Sequence, residues 1–592
     1  MNSNKVKEKS FKILFAFTAA LCIVAVIAIF AFLIIKSVPT FRRIGFFKFI
    51  FGKEWKPNVD DGFTGEIKGK YGVFKMIIGT IVATLGSVIV GGVLGFFTAV
   101  FISEFCPKKL KGAFVTVINL LAGIPSVIFG FFGMVVLLPK LGVFSETGSG
   151  SGLLAVSLVL GLMILPTVVS LSKTSIDAVP DSYYEGARAL GATHEQAVFR
   201  AVVPAAKSGI VASIILGIGR AVGETMAVIM VAGNVVEYPK GLFQSFRVLT
   251  ANIVMEMGYA GDLQLGALIS TGVVLLLFIL IINLLTGLAT SGGKKDKTHK
   301  KRSIEPLAKF FHAIKIEKIG KIVAYVSAVI ASIGLISIIL FVCVNGIPHL
   351  TTQLLFGKYS VRNISIFPAI VTTLMTVGIS LVIAVPIGVF TAIFLNEYSK
   401  KGSKVVRIIR SAIDILAGVP SIVYALFGMV TFVAWFNGRQ SILAGSLTIA
   451  IMLLPTVVRS TEESLKSVSD ALREGSLALG AGKVRTIFKV VLPGALPGIA
   501  SAIILAMGRV VSESAPFVYT MGNCLTTMPK GVMSDGTTLA VALYTLAGEG
   551  QYLNEAYATA FVLLVIVLAL NLLANLITQK LDKKLKGSKN GK

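Results

Sequence analysis

The chain has 592 residues, 55% of them hydrophobic and only 14% charged. That balance excludes an ordinary soluble domain, and charge-free runs such as 271–288 and 558–577 are long enough to cross a bilayer. The formal net charge of +27 sits mostly in short segments between apolar runs, where the positive-inside rule accounts for it without a nucleic-acid partner. The four cysteines have neither metal nor disulfide spacing and read as unpaired.

In chain order, the run from Phe11 to Ile35, charged only at Lys12, is too long for a signal-peptide core and reads as a retained first helix. Further spans follow near 74–103, 113–138, 153–172, 208–232 and 267–290. The pattern then repeats near 320–345, 367–396, 408–436, 442–459, 497–521 and 557–579. Self-comparison explains why. Leu121-Ala-Gly-Ile-Pro-Ser126 recurs as Leu416-Ala-Gly-Val-Pro-Ser421, and Leu165-Pro-Thr-Val-Val169 as Leu454-Pro-Thr-Val-Val458. Gly219-Arg220 with Glu224 recurs as Gly508-Arg509 with Glu513. A period of roughly 290 residues is too long for a solenoid and marks duplication of a whole domain. The expected fold class is an all-α polytopic membrane protein with two tandem domains, 1–290 and 319–592, joined by a basic linker, 291–318. Six spans per half make about twelve.

An even number of spans per half puts both termini and the linker on one side, expected to be the cytoplasm because all three are Lys-rich. The loop 37–73, expected outside, disagrees by carrying Arg42, Arg43, Lys48, Lys53 and Lys56. It reads as an interfacial, aromatic-rich element.

Between spans four and five of each half lies a polar segment on the expected cytoplasmic side. The first contains Glu185-Gly186-Ala187-Arg-Ala-Leu-Gly191 and ends at Pro204. The second contains Glu474-Gly475-Ser476-Leu-Ala-Leu-Gly480 and ends at Pro493, with the same spacing. Helix formers followed by Gly predict a short helix, a turn, a second short helix, and Pro opening the next span. An amphipathic loop lying on the membrane is the plainer alternative. The pattern resembles the cytoplasmic signature of ATP-binding-cassette (ABC) importer permeases, where it forms coupling helices that dock on ATPase subunits. Two copies imply two ATPase subunits. Ala201 and Val203 in the first copy, and Ser476 in the second, depart from the usual residues.

Span five of each half carries Arg and Glu at i, i+4, which puts them on one helical face. A mid-membrane charge costs about 2.5–3.5 kcal/mol on insertion scales. Arg220 with Glu224, and Arg509 with Glu513, therefore read as structural ion pairs or as a translocation site where the halves meet. In the second case the guanidinium forks match an oxyanion. A carboxylate acceptor would favour monohydrogen phosphate, which has a proton to donate, over sulfate, which has none.

Gly219 to Ala227 and the aromatic loop ending at Trp55 and Pro57 resemble the C-type permease subunit of the phosphate-specific transport (Pst) system. The second half, with Arg459-Ser-Thr-Glu462 and Ser512-Glu-Ser-Ala-Pro516, resembles the A-type subunit. The resemblance implies a natural fusion of PstC-like and PstA-like halves. It also implies that Arg220, Glu224, Arg509, Arg459 and, more weakly, Glu513 take part in phosphate movement. Ser170 stands opposite Arg459, so the site would be asymmetric. Ser126 and Ser421, after Gly-x-Pro, are further candidate contacts if the helix breaks there; a packing kink is the alternative.

No Gly-x-x-x-x-Gly-Lys-Ser/Thr loop occurs, so no cofactor or ATP chemistry is expected in this chain, and no metal site either. The expected partners are two cytoplasmic PstB-like ATPases, an extracytoplasmic PstS-like phosphate-binding protein on the loops 235–266 and 524–556, membrane lipid, and inorganic phosphate. The expected location is the bacterial inner membrane. Rival readings are a permease for phosphonate, sulfate or molybdate, an ion-coupled secondary transporter, and a signalling scaffold as a side role.

Overall fold

A chain crossing a bilayer must satisfy its backbone internally, and these apolar runs do so as helices. The computed structural model describes residues 2–57, 69–146, 148–291, 316–360, 363–399, 403–526 and 528–587. The basic linker cluster, Lys294 to Arg302, lies outside them.

The first sequence repeat runs through α1 (Asn2–Ile44), α2 (Phe74–Phe105), α3 (Lys108–Ala122), α4 (Ser126–Gly142) and α5 (Leu153–Asp177). It continues through α6 (Asp181–Ala189), α7 (His194–Ala205), α8 (Lys207–Gly223), α9 (Met226–Val231) and α10 (Asp262–Ser291). The second runs through α11 (Ile316–Gly346), α12 (Phe367–Tyr398), α13 (Lys404–Gly418), α14 (Ser421–Val433) and α15 (Ile442–Lys466). It closes with α16 (Asp470–Ala478), α17 (Lys483–Ser512), α18 (Ala515–Thr520) and α19 (Leu553–Gly587). The loop after α1 holds a short helix, Phe46–Phe51, and a two-stranded hairpin pairing Trp55 with Tyr71.

Nine helices among the described residues are long and apolar enough to cross a bilayer, or up to eleven if two bent pairs each count as one. Set against the roughly twelve expected spans, the breaks fall in spans three and five. Span three breaks at Gly-x-Pro, where Pro125 and Pro420 take extended backbone (ψ 139° and 147°), and α13 meets α14 at 98°. Proline removes a donor and disfavours helix at the residue before it, which is why the apolar run cannot continue straight.

The chain folds as two compact units that do not follow the sequence repeats. One comprises Ile44–Gly258 and Val274–Val344; the other comprises Met1–Arg43, Tyr259–Val273 and Asn345–Lys592. Thus α1 packs with the second repeat, and nearly all of α11 with the first. Within the second-repeat unit, Phe15 packs its ring 5.3 Å from that of Phe390, and Cys22 Sγ sits 3.5 Å from Thr391 Oγ1. Within the first-repeat unit, Tyr325 lies 4.8 Å from Phe101, and Phe341 meets Phe131 and Phe132. The limits 1–290, 291–318 and 319–592 divide the sequence; the packing exchanges the first span.

Spans four and five of each unit cross closely at small residues, as lipid-embedded helices do. A Cβ on Gly498 would sit 2.0 Å from Ser464 Oγ, and one on Gly209 would sit 2.1 Å from Ser175 Oγ. Gly498→Leu is therefore expected to destabilise its unit by about 1–3 kcal/mol through overpacking. A lower melting temperature in detergent would show it, with Gly531→Ala, whose Cβ meets nothing, as the unaffected control.

Candidate functional site

In each unit, spans four and five meet at one arginine. Arg220 occupies the last turn of α8, and its Nη1 donates to Thr167 Oγ1 at 2.9 Å. Arg509 occupies the last turn of the second copy, and its Nη1 donates to Thr456 Oγ1 at 3.3 Å. Each threonine follows a proline inside the span-four helix, Pro166 in α5 and Pro455 in α15. The duplicated Leu-Pro-Thr-Val-Val is thus more than a mark of duplication. Its threonine fixes the direction of a guanidinium fork, a role for Thr167 and Thr456 that sequence reading missed. A polar residue retained in both copies of an otherwise buried apolar motif was the available signal.

Span five does not run on as one helix past its Arg and Glu, although Arg509 and Glu513 still pair at i, i+4. The helix ends at Gly223 and at Ser512, and both glutamates are extended, Glu224 at φ −72°, ψ 136° and Glu513 at φ −81°, ψ 141°. Glycine in the last turn of α8, and Pro516 just beyond the second break, weaken helix continuation. The break carries Glu224 to the start of α9, where its Oε1 accepts the Ala227 N–H at 3.4 Å. It also brings the carboxylate within hydrogen-bonding reach of the Ser126 hydroxyl, at the first residue of α4. In the other unit Glu513 Oε1 stays 3.8 Å from Arg509 Nε. Ser421 opens α14 as Ser126 opens α4. Ser126, Glu224 and Arg220 therefore form one cluster, while Arg509 and Glu513 form its counterpart.

Arg459 is one turn along α15 from Thr456, on the same side of the helix. It pairs with Asp414 of α13. Beside it, Glu462 binds Arg410 at 2.6 Å and Lys466 at 2.7 Å. These five charged residues, with Ile413 and Val458, line a cavity of about 160 Å³. The sequence points to Arg459 and Glu462; Asp414 and Arg410 lie on α13, which by sequence reads as the start of a membrane span.

The paired segments take the expected form of short helix, turn, short helix. Glu185, Gly186 and Ala187 lie on α6, and Glu474 and Gly475 on α16; neither helix buries a residue. Gly191 (φ 85°) and Gly480 (φ 79°) end them in the left-handed region, which requires glycine or strains other residues. The turns expose Leu190 (91%) and Leu479 (90%) at equivalent positions. Ser476 bonds Thr486 at 2.9 Å, so the departure from alanine ties the two short helices together. One expectation needs correction. Pro204 precedes a 69° bend before α8, but Pro493 opens no new helix, because α17 runs through it behind a π turn at Ile487–Val491. In α7, which the bend sets apart from the span, Lys321 bonds Glu195 at 2.9 Å and holds its carboxyl down at about 2. A depressed carboxyl stabilises the fold above the ordinary glutamate range, and that contribution fades only as pH falls toward 2.

Broken spans, mid-chain arginines and twin exposed helices, all duplicated, define a multi-pass membrane protein of permease type. Two matches, over residues 91–291 and 384–587, are to the family described as binding-protein-dependent transport system inner membrane component, and the chain belongs to that family. It is 29% identical to the "phosphate transport system permease protein PstA homolog" of Mycoplasma pneumoniae, over 85% of this chain and 84% of that one. It is 38% identical to the "probable ABC transporter permease protein YqgH" of Bacillus subtilis, over 45% of this chain and 87% of that one. It is 32% identical to the "phosphate transport system permease protein PstC" of Haemophilus influenzae, over 49% and 95% respectively.

Proposed function

We propose that this chain is the fused permease of an ABC importer for inorganic phosphate, one PstC-like and one PstA-like repeat in a single polypeptide. The relatives' names support the substrate. The observation that carries the mechanism is the twice-built fork: Arg220 on Thr167 and Arg509 on Thr456, each at a broken span five with a glutamate beyond the break. A guanidinium offers planar paired donors to two oxygens of a tetrahedral anion. A carboxylate nearby accepts the remaining proton of monohydrogen phosphate.

ATP is hydrolysed elsewhere. Two ATPase subunits dock on α6 and α16 and their turns, which places those segments and both termini in the cytoplasm of a bacterium. A phosphate-binding protein docks on the opposite side, over 235–266 and 524–556. Arg459, paired with Asp414 and on the same helix as Thr456, the partner of Arg509, lines a charged cavity with Arg410, Glu462 and Lys466.

The test is ATP-driven uptake in proteoliposomes with phosphate and sulfate in competition. Glu224→Gln combined with Glu513→Gln is expected to lower the phosphate-over-sulfate preference by roughly tenfold, as a site loses its like-charge rejection of sulfate. An unchanged preference would sink the carboxylate's role.

A further inference from the structure

The two first spans begin with a repeat of their own: Glu8-Lys9-x-x-Lys12-Ile13 and Glu317-Lys318-x-x-Lys321-Ile322. Both copies lie outside the two matched regions, 91–291 and 384–587. In each unit this end of the exchanged first span grips the second short helix of a docking segment. Glu8 Oε1 accepts the backbone N–H of Lys483, the first residue of α17, at 2.8 Å. Phe11, one turn further on, packs its ring 5.4 Å from that of Phe488, tilted by 59°. In the other unit Glu317 pairs with Arg200, and Lys321 bonds Glu195. The ring of Phe199, equivalent to Phe488, rests on Gly320, where a Cβ would come within 2.9 Å of it. The two grips thus start from equivalent strap residues, Glu8 and Glu317, but take different partners: a helix N-terminus in one and a double ion pair in the other.

Spacing makes each grip one-sided. Glu317 and Lys321, four residues apart, share a face of α11, and Glu195 and Phe199, also four apart, share a face of α7. Lys321 is 40% exposed and Glu195 20%, so the pair is partly shielded from screening water.

We propose that the Glu-Lys-x-x-Lys end is a coupling strap, which passes the movement of a docked segment into the first span. Glu8, Glu317 and Lys321 are its positioning residues. The strap rests on the reading of α6 and α16 as ATPase docking sites. A segment that moved without its strap would leave the first span behind, so hydrolysis would continue with less transport.

The test reconstitutes the full chain with its ATPase and binding protein and measures three quantities: ATPase retained on purification, ATP hydrolysed, and phosphate carried per ATP. Lys321→Glu, and in parallel the milder Lys321→Gln, are expected to retain the ATPase and its hydrolysis. Phosphate per ATP should fall roughly three- to tenfold for Lys321→Glu, the range for an ion pair lost and then reversed in sign. Glu195→Lys added to Lys321→Glu should restore most of it. An unchanged ratio in both single variants overturns the strap. So does a fall that the reversed pair fails to restore, because that marks general damage. Absence of ATPase on the unmodified chain overturns the docking reading instead, and the strap with it.

Discussion

Arg509→Gln is expected to reduce ATP-driven phosphate uptake at least a hundredfold while the protein still inserts and binds its ATPase. Glutamine keeps a donor and most of the length but loses the charge and the fork. A hydrogen bond to a charged group contributes about 1.5–3 kcal/mol, and a fork makes two, so the combined loss exceeds two powers of ten. Arg509→Lys should recover little, since a point charge cannot reproduce the planar pair. Thr456→Val separates direction from charge. It removes the acceptor that aims Nη1 at 3.3 Å and should cost about 1 kcal/mol, roughly fivefold in rate. Arg220→Gln and Thr167→Val are the matching pair in the other unit, where the 2.9 Å bond predicts the larger threonine effect. Initial uptake rates in proteoliposomes decide the matter. Arg509→Gln within threefold of the unmodified chain would remove the guanidinium from the transport path.

Much of this was legible in the sequence because membrane helices obey a strong rule. A backbone that cannot bond to lipid must bond to itself, so apolar length reads directly as helix. The duplication, the helix–turn–helix segments and the glycines at 191 and 480 were equally legible, since glycine placement follows from backbone sterics. What failed was continuity. Apolar composition through Glu224 and Glu513 says nothing of the break there, because both helical and extended backbone satisfy a bilayer when neighbouring helices bury the gap. The partners of the arginines were also hidden. Thr167 and Thr456 lie far from Arg220 and Arg509 in sequence, and only the crossing of spans four and five brings them together. The exchange of first spans is hidden for the same reason: α1 and α11 are apolar on most faces and carry no pattern that names their neighbours.

Leu190→Asp with Leu479→Asp is expected to strip the ATPase from the permease without unfolding it. Each leucine sits one residue before a left-handed glycine, at 91% and 90% exposure, on a turn whose preceding helix buries nothing. A single exposed leucine is unremarkable on any surface. Two at equivalent positions of a duplicated turn, flanked by Tyr183 in one copy and by Leu472 and Leu477 in the other, form apolar tips with no intramolecular use. Burying such a side chain in a partner contributes about 1.5–3 kcal/mol, so each aspartate should weaken its own docking site by ten- to a hundredfold. The two sites act on one pair of ATPases, so the double variant should lose far more than either single one. Pull-down with the ATPase gives the affinity, and an unchanged melting temperature shows that the fold is intact. Gly191→Ala should act in the same direction more weakly, about 1–2 kcal/mol, by straining the turn that presents Leu190. Retention of the ATPase by the double variant would mean that these tips rest in the membrane surface, and that the docking contact lies on other faces of α6 and α16.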